Sequence, residues 1–163
     1  MHVAGELGIT DIGGIFMHEY PYHFSIGAMA EAQVGRALSL GLGAEYYGTR
    51  SIYPNQADKP YLSSVPIYAN ARLSTLGWGA KFFVEARAGY AIPVGSVNVG
   101  GTNYAAKGFF TGAGIGFSCF GSNISIGVNA LDVNNGYSQS HYHTSSDIVT
   151  DVYLRYSFAI PVN

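Results

Sequence analysis

Residues 37–48, ALSLGLGAEYYG, constrain this chain most, because their alternation fits a single kind of backbone. At period two, Leu38, Leu40, Leu42, Ala44 and Tyr46 share one face, while Ser39, Gly41, Gly43, Glu45 and Tyr47 share the other, as successive side chains of a strand do. The first face is unbroken and apolar, and the second offers glycine, a hydroxyl and a carboxylate. A strand with lipid on its greasy side and a crowded lumen on its small, polar side satisfies both faces. Lipid admits strands only when they close into a barrel, since every backbone polar group must be paired.

The same pattern recurs along the chain. Val3, Gly5, Leu7 and Ile9 alternate with Ala4, Glu6 and Gly8, up to a turn signal at residues 11–14. Phe24, Ile26, Ala28, Ala30, Ala32 and Val34 oppose Ser25, Gly27, Met29, Glu31 and Gln33. Further strands are predicted with Ile67–Leu73, Phe82–Tyr90, Phe109–Cys119, Ile124–Ala130 and Ile148–Phe158 as their outward sets. Residues 108–131 carry no charge and could span a bilayer as a helix by hydropathy alone, but they alternate at period two and are studded with Gly, so they read as a hairpin. The connections run long, short, long, short, long, short, long, which in antiparallel strands puts every short turn and both termini at one end. The stretch GTRSIYPNQADKPYLSSVP, with three prolines, reads as a loop, as do residues 93–107 and 132–147. All six Pro are expected in loops or at strand ends, because Pro cannot donate to a ladder.

The expected fold is therefore all-β, an eight-stranded antiparallel up-and-down transmembrane β-barrel forming one domain over residues 1–163. That length suits eight strands of about ten residues with their turns. Charged residues make up 11% of the chain, where soluble domains carry about 25%. A soluble lipocalin-like barrel would alternate too, but with its apolar side inward. Here the apolar faces hold no charge, and Glu6, Glu31, Glu45, Arg72, Glu85, Arg87, Asp151 and Arg155 all fall on the opposite one. A formal charge of −2 gives no basic stripe for nucleic acid. Cys119 is alone, which excludes an intrachain disulfide. The first residues, MHVAGELGIT, already read as a strand, so any secretion signal is expected to have been removed.

The chain resembles the small eight-stranded outer-membrane barrels of Gram-negative bacteria, the class of the OmpA transmembrane domain and OmpX. The most motif-like piece is Leu154-Arg-Tyr156-Ser-Phe158, similar to the terminal aromatic signal read by the assembly machinery of that class. Residues 159–163 extend past Phe158, whereas that class usually ends at the aromatic. The resemblance implies a bacterial outer-membrane location; membrane lipid is the expected partner, and no cofactor is expected. Within that class a pair such as His143 and Ser145 resembles the H-x-S of outer-membrane lipid A deacylases, although the expected carboxylate on the following strand has no clear match. The chain is accordingly read as non-enzymatic, with a lipid hydrolase as a lesser alternative.

An eight-stranded lumen is just wide enough to be filled by side chains. The inward charges are expected to form a plug of ion pairs, Arg72 with Glu85 on adjacent strands and Arg155 with Glu6 across the closing seam, because paired charges tolerate burial and lone ones do not. A narrow diffusion channel is the competing reading. Barrel closure brings the loop of His18 and His23 beside that of His141 and His143, a candidate Zn²⁺ or Cu²⁺ site with Asp147 or Glu19 as a further ligand. The bland reading is that these are ordinary polar loop histidines. Tyr20, Tyr22, Tyr53, Tyr61, Tyr104, Tyr137 and Tyr142 concentrate in the long loops. Tyr enrichment points to an adhesin- or receptor-like surface for an extracellular protein or glycan, or else to interfacial anchoring.

Overall fold

Alternating residues that cannot satisfy their backbone in lipid must pair it with neighbouring strands, and the chain does so in long antiparallel ladders. The computed structural model describes residues 2–12, 22–50, 61–76, 79–95, 97–99, 102–105, 107–136 and 146–159. Its strands are β1 (His2–Ile12), β2 (Tyr22–Gln33), β3 (Leu38–Arg50), β4 (Tyr61–Ser74), β5 (Lys81–Pro93), β6 (Val97–Val99), β7 (Thr102–Ala105), β8 (Gly108–Cys119), β9 (Ser122–Gly136) and β10 (Ser146–Ala159). The eight long strands pair in the order β1-β2-β3-β4-β5-β8-β9-β10. Pairing of β10 with β1, from His2 opposite Ala159 to Ile12 opposite Val149, closes the barrel. Residues 108–131 are a hairpin, and no helix among the described residues is long and apolar enough to cross a membrane.

Three stretches read as loops are partly ladder. β3 runs on to Arg50 and β4 starts at Tyr61, so Pro66 lies inside a strand and not in a loop. It stands opposite Ala91 on the β5 side, while on the β3 side the pairing skips from Ala44–Ile67 to Tyr47–Ser64. The missing N–H is thus absorbed by a local gap in one ladder, with no change of register. Within residues 93–107, β6 and β7 form a small hairpin. β7 pairs with β9 at Asn103–Gly136, above the point where β8 leaves β9 at Phe110–Leu131. The hairpin therefore extends the wall at the long-loop end. β9 and β10 likewise take residues 132–136 and 146–147 out of the expected last loop.

Outward residues are apolar and exposed, including Ile26, Leu42, Ile67, Phe82, Ile115, Ile126 and Leu154, and none of the strand side chains described on that face is charged. Aromatic pairs mark the two edges of the band. At the loop end Phe24 meets Tyr46 with ring centroids 6.0 Å apart, and Tyr90 meets Phe109 at 6.1 Å. At the turn end Phe82 meets Phe117 at 5.3 Å. Eight residue steps from Phe82 to Tyr90, at about 3.4 Å each and a tilt of about 40°, span about 21 Å, close to the roughly 25 Å of a transmembrane barrel's apolar band.

Candidate functional site

The lumen is where the chain spends its polar groups. The buried residues are a mixture of ring and charge: Tyr47, Tyr68, Phe83, Phe110 and Tyr153 with Glu45, Glu85, Arg72, Arg87, Asp151 and Arg155. Each is an inward member of a strand whose next residue faces lipid, so the alternation that makes the wall also delivers these groups to the axis.

Space for the rings comes from glycine. A Cβ added at Gly43 would stand 2.7 Å from the Tyr68 ring, and one at Gly114 would collide with the Tyr153 hydroxyl and lie 3.1 Å from the Ile126 carbonyl oxygen. Gly114→Ala should accordingly destabilise the barrel by about 1–3 kcal/mol through overpacking. The penalty should shrink in a Tyr153→Phe background, where the colliding hydroxyl is gone. Unfolding in urea from lipid vesicles measures both, and equal penalties in the two backgrounds would remove Tyr153 as the cause.

Two charge clusters are linked through the rings. Glu45 accepts hydrogen bonds from Arg155 Nη2, from the Tyr68 hydroxyl and, at 2.9 Å, from Ser25 Oγ. Arg87 Nη1 lies 3.7 Å from the same carboxylate. Because β3 and β10 are three strands apart, the Arg155–Glu45 pair is a strap across the lumen, and the Tyr47 hydroxyl bonded to Asp151 is a second. Nearer the turn end, Glu85 accepts from Arg72 at 3.0 Å, Ser125 at 3.2 Å and Tyr153 at 3.5 Å. Arg72 also reaches Glu31 at 3.5 Å and lies 4.3 Å over the Phe83 ring. Arg87 donates to Asn129 at 3.0 Å and stacks 4.6 Å from the Tyr153 ring centroid. Charges that have lost water are thus held by opposite charge, hydroxyl and π-face together.

Of the residues singled out in the sequence, Glu31, Glu45, Arg72, Glu85, Arg87, Asp151 and Arg155 line this interior. Arg72 and Glu85 stand opposite one another in the register. Glu6 is the register partner of Arg155, but its side chain lies outside the described residues; the described bonds of Arg155 run to Glu45 and Tyr68. His18, His141, His143 and Ser145 lie outside the described residues, as does the side chain of His23. Phe83, Phe110 and Asn129 escaped the reading of the sequence. The signal that could have found them is the run of inward glycines at Gly112, Gly114 and Gly116, which leaves a gap that bulky inward neighbours must fill.

No protein-family profile and no characterised relative matches the chain. Among solved structures, the outer membrane enzyme PagL superposes with a TM-score of 0.64 at 18% identity, covering 98% of this chain and 100% of that one. Neisserial surface protein A, NspA, does so with a TM-score of 0.58 at 13% identity, covering 98% of this chain and 96% of that one. At such identities the likeness is one of fold. Closed through β1 and β10, apolar outside and charged within, the chain has the eight-stranded β-barrel fold of small outer-membrane proteins.

Proposed function

We propose that the protein spans the outer membrane of a Gram-negative bacterium as a non-conducting, non-enzymatic barrel that presents its long loops as an interaction surface. The observation that supports this reading is the plug: rings and paired charges strap β3 to β10 through the middle of the lumen, which favours a barrel whose interior passes no solutes. What differs from a bare anchor is the loop end, where β6, β7 and the upper part of β9 raise the wall above the Tyr90–Phe109 girdle. Loops on a rigid scaffold are the usual place for recognition, and the Tyr-rich segments fit an extracellular protein or glycan. Planar bilayers containing the folded protein should show no channel events, whereas steady unitary conductance would establish the diffusion-channel reading instead. Cells displaying the protein should be retained on panels of extracellular proteins or glycans and lose that retention when residues 137–145 are replaced by a short linker. Equal retention would remove the last loop from the interaction surface.

A lipid hydrolase is the second reading, favoured by the full-length likeness of fold to an outer membrane enzyme and by the His143–Ser145 pair. Release of fatty acid from membrane lipid, abolished in Ser145→Ala, would replace the non-enzymatic reading with this one.

A further inference from the structure

The three short connections share a feature that neither the plug nor the lipid-facing wall requires. Each carries a large apolar side chain in the open: Val34 is 59% exposed, Leu76 68% and Phe120 98%. Phe120 is the extreme case. With Gly121 it forms the two-residue link between β8 and β9, closed by the Cys119–Ser122 pair, and both residues have positive φ, 49° and 80°. That is the geometry in which Asn-Gly is favoured, and a residue with a bulky Cβ avoids it. In water, a phenyl ring at this tip would cost strain and gain nothing.

The surroundings say what the ring meets. The turns continue the lipid-facing wall, since Phe120 lies three residues beyond Phe117 of the turn-end aromatic pair. Three tilted residues advance about 8 Å along the axis, about the thickness of the polar layer between the hydrocarbon and water. Charge agrees with that depth. The charged side chains in and next to the described turns are Arg36, exposed in the β2–β3 turn, and Lys81 at the start of β5. Arg36 is suited to lipid phosphate; Lys81 is a second cation, on the inward register of β5 at the turn-end mouth, and no acid stands among them. The single tryptophan, Trp78, belongs by sequence to the β4–β5 connection.

We infer that the short turns form an apolar footing seated in the headgroup layer of the leaflet at that end, with Phe120 as its outermost apolar anchor and not a side chain hanging in water. The inference rests on the membrane-spanning reading, and one set of variants tests the two separately. In a Trp78→Phe background, a lone tryptophan is placed by Phe120→Trp at the footing or by Ala113→Trp at the middle of the wall. Each protein is folded into phosphatidylcholine–phosphatidylglycerol vesicles in which the phosphatidylcholine is brominated either near the ester end or near the methyl end of its chains. The footing tryptophan should emit to the blue of the unfolded protein, resist aqueous acrylamide and be quenched most by the shallow bromines. The wall tryptophan should be quenched most by the deep ones. A wall signal with a footing tryptophan that emits to the red, yields to acrylamide and ignores bromine would overturn the footing alone, and indifference to bromine at both sites would overturn the membrane reading itself. Should Phe120→Trp fail to fold, Leu76→Trp reads the same surface from another turn, and the same pair of outcomes supports or overturns the footing there.

Discussion

Glu45→Leu should destabilise the barrel by about 3–5 kcal/mol, the cost of breaking a buried ion pair by removing one partner. Glu45 is the group on which the cross-lumen strap converges: Arg155, Tyr68 and Ser25 all donate to it, and Arg87 lies 3.7 Å away. Leu has a similar volume, so packing loss is small and the electrostatic effect dominates. Removing the carboxylate leaves two guanidinium groups in a lumen where the side chains of Arg87 and Arg155 are 0% and 5% exposed. The double variant Glu45→Leu/Arg155→Leu should recover part of the loss, because it removes one of the two guanidinium groups that the single variant deprives of the Glu45 carboxylate. Urea unfolding from lipid vesicles gives all three free energies. Strictly additive single effects of Glu45→Leu and Arg155→Leu would mean that the two groups do not depend on each other.

Ala113→Arg should cost about 2–4 kcal/mol in a bilayer, as cations do at the midplane of a barrel's lipid face. Ala113 lies four residues from Phe109 and four from Phe117, midway between the aromatic girdles, and it is exposed. Its register partners Ala86 and Val128 are outward as well, so a guanidinium there has no carboxylate to reach and must snorkel past half the band. Ala113→Leu should be neutral or stabilising under the same conditions, since leucine favours hydrocarbon. The reverse order, with Arg tolerated and Leu costly, is the behaviour of a barrel whose outer wall faces water.

Faces were legible in the sequence because period two is a property of each strand alone: nothing beyond neighbouring residues is needed to tell Leu42 from Gly43. Strand ends were not legible to the same degree. Tyr61–Pro66 reads as loop by composition, yet the ladder tolerates Pro66 because its missing donor falls in a gap opposite Glu45 and Tyr46. The lumen was legible only as a set of residues. Adjacent-strand register gives Arg72 with Glu85, whereas Arg155 with Glu45 and Tyr47 with Asp151 join strands that do not touch. Such contacts follow from how the closed sheet coils, which local pattern does not encode.

The glycine-and-ring fit of the interior bears on how the barrel can assemble. A slip of two residues between neighbouring strands preserves every inside and outside assignment, so the lipid face cannot proofread it. The rings can. Tyr153 stands opposite Gly127, with Gly114 beside it, and sliding β10 two residues either way would aim its ring at Ser125 or Asn129 instead. Phe83 in the native pairing likewise lies over Gly116. Each bulky residue is thus a key cut for one notch, and a nascent hairpin that zips out of step cannot close its lumen until it shifts back.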